Sequence, residues 1–127
     1  MIASVNDPDI KAEVRSAFEG YNVALAAGDV EKLNEFFWNS ASTVRFGPTE
    51  NLFGFAEISS FRSSRWKLTG GNRAIQKVEI ATFGPDAATT SALIRDNDGN
   101  VSRQSQTWVR FSEGWRIVAA HVSRSPV

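Results

Sequence analysis

Residues 103–122 constrain the fold more than any other stretch, because their pattern is that of two long strands joined by a tight turn. Gly114 follows Ser112 and Glu113, where a glycine supplies the positive φ that a short bulged hairpin loop requires. Each strand carries both apolar and hydrogen-bonding side chains on each of its faces. We therefore expect one face of the sheet to meet helices around a cavity and the other to meet a second copy of the chain.

Strict alternation of side chains assigns the two faces of this hairpin. On the first strand, one face holds Gln104, Gln106 and Trp108, and the opposite face holds Arg103, Ser105 and Thr107. On the second strand, alternation predicts one shared face for Trp115, Ile117, Ala119, His121 and Ser123.

Composition places the chain among ordinary globular domains. Its 127 residues are 42% hydrophobic and 22% charged, which predicts one domain over residues 1–127 with a real core. No apolar run is long enough to span a membrane, and the first residues, Met1 to Ser4, do not have the pattern of a signal peptide. The chain has no cysteine and one histidine, so we expect no disulfide and no thiolate or histidine-built metal site, unless subunits share ligands.

Charge is balanced overall but not along the chain. A net charge of +0 argues against nucleic-acid and anionic-membrane partners. The first sixty residues carry 4 basic and 9 acidic groups, and the remainder carry 10 and 5. The arginines of the second half either form salt bridges with the first half or face an anionic small molecule.

The N-terminal half predicts helices first. Asp7 and Pro8 form a helix start, and apolar residues then recur at intervals of three and four up to Leu25. Gly28 ends this helix and Asp29 caps a shorter one. A third helix is expected from about Phe55 to Arg65. Its Arg62 and Arg65 would then interact favourably with the helix dipole.

The remaining segments predict strands. A short strand is expected over residues 42–46 and a brief returning strand over 51–53. After a loop at residues 69–72, four strands cover 73–83, 87–95 and the two arms of the hairpin, and residues 124–127 form a loose tail. Helices that are segregated from a long antiparallel meander indicate an α+β fold.

Several segments together resemble the NTF2-like cone, the fold of ketosteroid isomerases and SnoaL-type cyclases, in which three helices pack on a strongly bent antiparallel sheet. The resemblance is closest to the AtzH-like branch, which includes the oxalurate catabolism protein HpxZ. It covers essentially the whole chain and rests on residues 17–21, 36–38, 43–47, 50–54, 103–110 and 113–123.

The resemblance implies a cytoplasmic homodimer that acts in the nitrogen catabolism of ureido compounds. It implies a cofactor-free, decarboxylating amidohydrolase activity on 1,3-dicarboxyurea or an oxalurate-related substrate. The family's helix-one tyrosine and first-strand arginine match Tyr21 and Arg45, which become the candidate catalytic residues.

Each of these two residues also has a purely structural interpretation. Tyr21 lies on the apolar stripe of its helix and either donates to a developing oxyanion or bonds a backbone carbonyl in the core. Arg45 alternates with two apolar neighbours. Its guanidinium either binds a substrate carboxylate or pairs with Glu50 or Glu57, or reaches the dimer face.

Five further residues are candidates for substrate binding. Gln104, Gln106 and Trp108 offer two amides and an indole, which suit a ureido group, or they form the polar half of a dimer sheet. His121 is the single imidazole and is either a proton-transfer group or a packed strand residue. Asn51 is expected at the mouth of the cavity.

Three hypotheses about function follow. The first is a metal-free enzyme acting on a small carboxylated urea, although no carboxylate base for amide hydrolysis is evident. The second is a non-catalytic protein that binds a ureido or carboxylate metabolite or assists a partner amidohydrolase. The third is a ketosteroid-isomerase-like enzyme, which would need a buried acidic base facing the tyrosine.

Overall fold

The computed structural model describes residues 4–65 and 73–126, in which helices and strands follow the expected order. The predicted loop at residues 69–72 and the terminal Val127 lie outside this range. The helices are α1 (Pro8–Ala27), α2 (Val30–Glu35) and α3 (Phe55–Arg65). The strands are β1 (Val44–Phe46), β2 (Asn51–Phe53), β3 (Ala74–Phe83), β4 (Ala87–Arg95), β5 (Val101–Phe111) and β6 (Gly114–Arg124).

The predicted capping residues lie at both ends of α1 and at the start of α2. The Asp7 carboxylate accepts from the backbone N–H groups of residues 9 and 10, and Pro8 occupies the first turn. Gly28 adopts the left-handed conformation with φ 73°, which a glycine takes without steric cost. Asp29 then accepts from the backbone N–H of Lys32 at 3.1 Å and starts α2. The stripe of α1 is buried at Val14, Phe18, Tyr21 and Ala24.

The strands form one six-stranded sheet in the order β2-β1-β6-β5-β4-β3. Strands β3 to β6 form the predicted antiparallel meander. The pairing of β1 with β6 is parallel, which differs from the purely antiparallel sheet expected. The reason lies just after α2, where the N–H of Trp38 donates to the carbonyl of Ile117 at 3.0 Å. Because of this bond, the chain is already parallel to β6 before β1 begins.

A β-bulge in the β5–β6 hairpin reverses the faces of half of β6. Trp108 pairs with Ile117, but Thr107 pairs with Ala119, so Val118 is the extra residue. Trp115, Ile117 and Ala120 are buried, whereas Ala119 and His121 are exposed on the other face. The prediction that Trp115 and His121 share a face is therefore wrong, because strict alternation does not count the inserted residue.

The core lies between the helices and the inner face of the sheet. Ring contacts run from Tyr21 on α1 through Phe36 to Trp108 on β5, with centroid distances of 5.8 and 6.2 Å. Gln104, Gln106 and Trp108 are buried on this face, and Arg103, Ser105 and Thr107 are exposed on the other, as predicted. The α+β fold, with helices packed on one curved sheet, is confirmed. In the described part of the chain, no helix combines the length and the apolarity needed to cross a membrane.

Candidate functional site

Tyr21 lies in the core, but its hydroxyl bonds no backbone carbonyl of the residues that the structure describes. The side chain is 3% exposed, and its ring packs edge-on against Phe36 and Phe37. The Nη2 of Arg62 donates to its Oη at 2.8 Å. Because the phenol oxygen accepts this bond, its own proton is free to be donated to another group.

Arg62 is a buried guanidinium that no carboxylate neutralises within the described residues. It is 5% exposed, and its guanidinium carbon lies 5.1 Å from the Phe37 ring centroid and 5.8 Å from that of Tyr21. None of the ion pairs among residues 4–65 and 73–126 includes it, and its Nε has no hydrogen-bond partner there. A buried cation without an anion is costly, so this position suits an anionic ligand.

Sequence reasoning missed Arg62, since the helix dipole already accounted for a cation near the end of α3. The signal was its spacing, because it follows the fully buried Ile58 by four residues and therefore shares its inward face.

Arg45 has one of the partners that its structural interpretation proposed. Its Nη1 donates to Glu50 Oε1 at 3.0 Å, and its guanidinium carbon lies 5.9 Å from the Phe61 ring centroid. Burial raises the pKa of Glu50, but hydrogen bonds from Thr49 and Arg45 and the charge of Arg45 together lower it below its ordinary value of 4.5. Glu50 is therefore an ionised carboxylate paired with one end of the Arg45 guanidinium, whose buried Nε has no partner among the described residues.

Arg73 brings a third guanidinium to the same region. Burial lowers the pKa of Arg73 below its ordinary value. The charge of Arg45 lowers that pKa further, and Tyr21 and Asp96 act in the opposite direction. These two effects on Arg73 indicate that it lies within electrostatic reach of Tyr21 and Arg45. The surroundings of Tyr21 are thus positively charged, and the charge distribution favours an anion.

The sheet register places Arg45 in the same row as Gln106 and one row from Gln104. Arg45 pairs with Ala120, Ala120 with Gln106, and Gln106 with Thr90, so these residues form one row across four strands. Arg45 and Gln106 are two strands apart, about 10 Å between backbones. The residue between them is Ala120, whose side chain is only a methyl group. Gln104 stands in the next row, 2% exposed, and its Oε1 has no partner among the described residues.

Trp108 does not present its indole N–H to this space. It is 0% exposed, and its Nε1 donates to Thr90 Oγ1 at 3.1 Å. Thr90 in turn donates to Gln106 Oε1 at 3.1 Å. The sequence analysis did not identify Thr90. The available signal was that Thr90 shares its face of β4 with Ala88, Ala92 and Ile94.

The structure does not bring Asn51 or His121 to Tyr21. Asn51 is exposed on the edge strand β2. His121 is exposed on the outer face of the sheet, where its ring meets the Phe46 ring edge at 6.0 Å. The other five predicted residues, Tyr21, Arg45, Gln104, Gln106 and Trp108, all belong to the inner side of the sheet or to the helix that covers it.

The site therefore offers guanidinium, phenol and amide donors. Glu50 is its one carboxylate in direct contact with these groups among the described residues, and it is held by Arg45 and Thr49. Such a set can bind an anion and stabilise negative charge on a neighbouring oxygen.

Comparisons with known proteins agree with this fold. The family model described as AtzH-like matches residues 3–126. A protein of unknown function from the DUF3225 family of Pectobacterium atrosepticum is 45% identical, with 96% of this chain and 95% of that chain covered and a TM-score of 0.91. A cystatin-like fold protein from Burkholderia xenovorans is 38% identical, with 98% of both chains covered and a TM-score of 0.88.

More distant structures share the fold alone. An NTF2-like protein of unknown function from Pseudomonas putida is 16% identical, with 92% of this chain and 87% of that chain covered and a TM-score of 0.80. No curated protein matches the chain.

Proposed function

This chain belongs to the AtzH-like family of NTF2-like folds, and from that premise we propose that it is a cofactor-free enzyme that removes carbon dioxide from a small N-carboxylated urea. The substrate for this step is 1,3-dicarboxyurea, whereas an oxalurate-related ureido acid, whose carboxylate is attached to a carbonyl carbon, would bind at the site without losing carbon dioxide in this way. Tyr21 and Arg62 form its centre, Arg45 and Arg73 attract the anion, and Gln104 and Gln106 bind the ureido group.

The observation that carries the proposal is the buried bond of 2.8 Å between Arg62 and Tyr21. A guanidinium in this position favours negative charge nearby and leaves the phenol proton to be donated. Together these two groups suit a ligand that carries a carboxylate beside a carbonyl oxygen, which is the arrangement in an N-carboxylated urea.

The chemistry requires no nucleophile. The bond between the urea nitrogen and the carboxyl carbon breaks, and carbon dioxide leaves as a neutral molecule. The electron pair stays on the nitrogen and is shared with the urea carbonyl oxygen, where Tyr21 donates a hydrogen bond. A proton from Tyr21 then reaches the nitrogen, and water restores the proton of the phenol. Because no water molecule attacks, the step needs no general base, which suits a site whose contacting carboxylate is already paired.

We also propose a homodimer formed through the outer face of the sheet. Near the middle of its central strands the exposed side chains are mostly short, namely Thr89, Ser91, Ser105, Thr107 and Ala119, with His121 beside them and Arg103 toward the strand end. Two such faces can approach closely around a two-fold axis at this middle part.

Release of carbon dioxide from freshly generated 1,3-dicarboxyurea tests the enzyme proposal. We expect the wild type to exceed the rate in buffer, and Tyr21→Phe, Arg62→Met and Arg45→Ala each to lose about 100-fold or more. Circular dichroism checks that each variant folds.

Arg15→Met is the matched control, since Arg15 is exposed on α1. It should keep the wild-type rate. A wild type no faster than buffer would refute the enzyme proposal for this substrate and leave the binding of a ureido acid, measured by calorimetry, as the function to test.

A further inference from the structure

A chain of two hydrogen bonds links three buried side chains on β4 and β5. Trp108 Nε1 donates to Thr90 Oγ1 at 3.1 Å, and Thr90 Oγ1 donates to Gln106 Oε1 at 3.1 Å. The exposed fractions of Trp108, Thr90 and Gln106 are 0%, 1% and 3%. Such burial makes each of these bonds expensive to lose.

The direction of this chain follows from the chemistry of its members. An indole N–H is a donor only, so the Thr90 oxygen must be the acceptor in the first bond. A threonine hydroxyl has one proton, and here that proton points to Gln106. The Gln106 oxygen accepts this proton, so Thr90, which also accepts from the indole N–H, holds the oxygen end of the amide toward β4.

The other end of the amide then faces the site. Thr90 and Ala120 are the cross-strand neighbours of Gln106 on opposite sides. Because the amide oxygen and nitrogen leave the same carbon in different directions, the NH2 group points away from Thr90 and toward Ala120. Ala120 is the register partner of Arg45. Within the described residues no acceptor bonds this NH2 group.

We infer that Thr90 and Trp108 are positioning residues that hold the Gln106 amide with its NH2 group toward Ala120, as a second donor to the oxygen that Tyr21 also contacts. That this oxygen is a urea carbonyl rests on the proposed function. During decarboxylation, negative charge grows on this oxygen, and a fixed donor stabilises it without reorganising. Gln104, with its unpartnered Oε1 one row away, offers the matching acceptor for a ureido N–H.

Nuclear magnetic resonance of the free protein tests the orientation without any ligand. The Gln106 side-chain NH2 protons should show a strong Overhauser contact to the Ala120 methyl group and a weaker one to the Thr90 methyl group. The opposite ratio would overturn the inference.

Substitutions test the cause of the orientation. Trp108→Phe removes the indole donor, so Thr90 becomes free to accept from the amide, and the preference for Ala120 should disappear. Thr90→Ser keeps the hydroxyl but removes the methyl group, so its contacts to the Ala120 methyl are compared with those to the β protons at position 90, and the preference for Ala120 should be retained. If Trp108→Phe does not fold, Thr90→Val replaces it, because the methyl group it substitutes for the hydroxyl cannot hydrogen-bond. A preference that survives loss of the donor or of the hydroxyl would contradict the assignment.

Calorimetry with oxalurate tests whether the Gln106 NH2 group contributes to ligand binding. Thr90→Val should weaken binding about tenfold, the effect of one lost hydrogen bond, and Thr90→Ser should restore it. Equal affinity of Thr90→Val and the wild type would overturn the positioning role. Absence of oxalurate binding by the wild type would refute the proposed ligand class instead, and the Overhauser contacts would still decide the orientation.

Discussion

At the residue scale, the unusual group is Arg62, which is buried beside a neutral phenol rather than beside a carboxylate. Removal of a guanidinium from water costs several kcal/mol unless an anion and hydrogen bonds compensate. The rings of Phe37 and Tyr21 provide part of that compensation. A bound anion would compensate the rest of this free-energy cost. We therefore expect Arg62 to contribute to ligand affinity rather than to the stability of the fold.

Glu50 leads to a prediction about acid stability. Its pKa is lower in the folded protein than in the unfolded chain, so its ionised form stabilises the fold. This contribution is complete above the unfolded pKa of about 4.5 and is lost as the pH falls through the lower folded value. We therefore expect the free energy of unfolding of Glu50→Gln to fall less steeply with acid than that of the wild type.

Urea titrations between pH 6 and pH 3 measure this difference. Glu31→Gln, a change at an exposed glutamate of α2, is the control and should follow the wild type. A Glu50→Gln curve parallel to that of the wild type would contradict the role of the Arg45–Glu50 pair.

Residue-level prediction from sequence succeeded where periodicity determined the environment. The apolar stripe of α1 predicted that Tyr21 is buried, and alternation on β5 predicted one shared face for Gln104 and Gln106. All three residues are buried. It missed Arg62 because a favourable helix dipole explained that residue without reference to its inward face. It also could not place Thr90, whose importance depends on the long-range bond from Trp108.

At the element scale, local signals predicted helices and strands better than their relations. Capping residues and glycines set the ends of α1 and the start of α2. The bulge at Val118 has no marker in the sequence, since a strand with one inserted residue reads like any other. The parallel pairing of β1 with β6 depends on where α2 docks, which is tertiary information.

The outer face of the sheet carries the prediction about assembly. Light scattering should give the wild type twice the chain mass of 14.0 kDa. Thr107→Glu places a charge at the centre of this face, where it meets its own copy across a two-fold axis, and should yield a monomer.

Ala26→Glu, on the exposed side of α1, is the control for added charge and should remain dimeric. A wild type of single-chain mass would contradict the proposed dimer and leave the site proposal unaffected.

At the scale of the whole molecule, the separation of charge along the chain acquires a structural reason. Helix α1 brings Tyr21 from the acidic half, and α3 and the start of the meander bring Arg62 and Arg73 from the basic half. Some arginines of the second half do pair with the first, as Arg110 does with Glu13 at 3.3 Å. The salt-bridge interpretation thus applies to exposed arginines, and the buried Arg62 is the residue for which we propose an anionic ligand.

A double-mutant cycle on carbon dioxide release tests most directly whether Tyr21 and Arg62 act as one unit. The cycle compares kcat/KM of the wild type, Tyr21→Phe, Arg62→Met and the double variant on 1,3-dicarboxyurea. Since each residue acts through their shared bond, the double variant should be about as slow as the slower single variant. Losses that multiply, with all four proteins folded, would show two independent contributions and contradict a site built on the Arg62–Tyr21 pair.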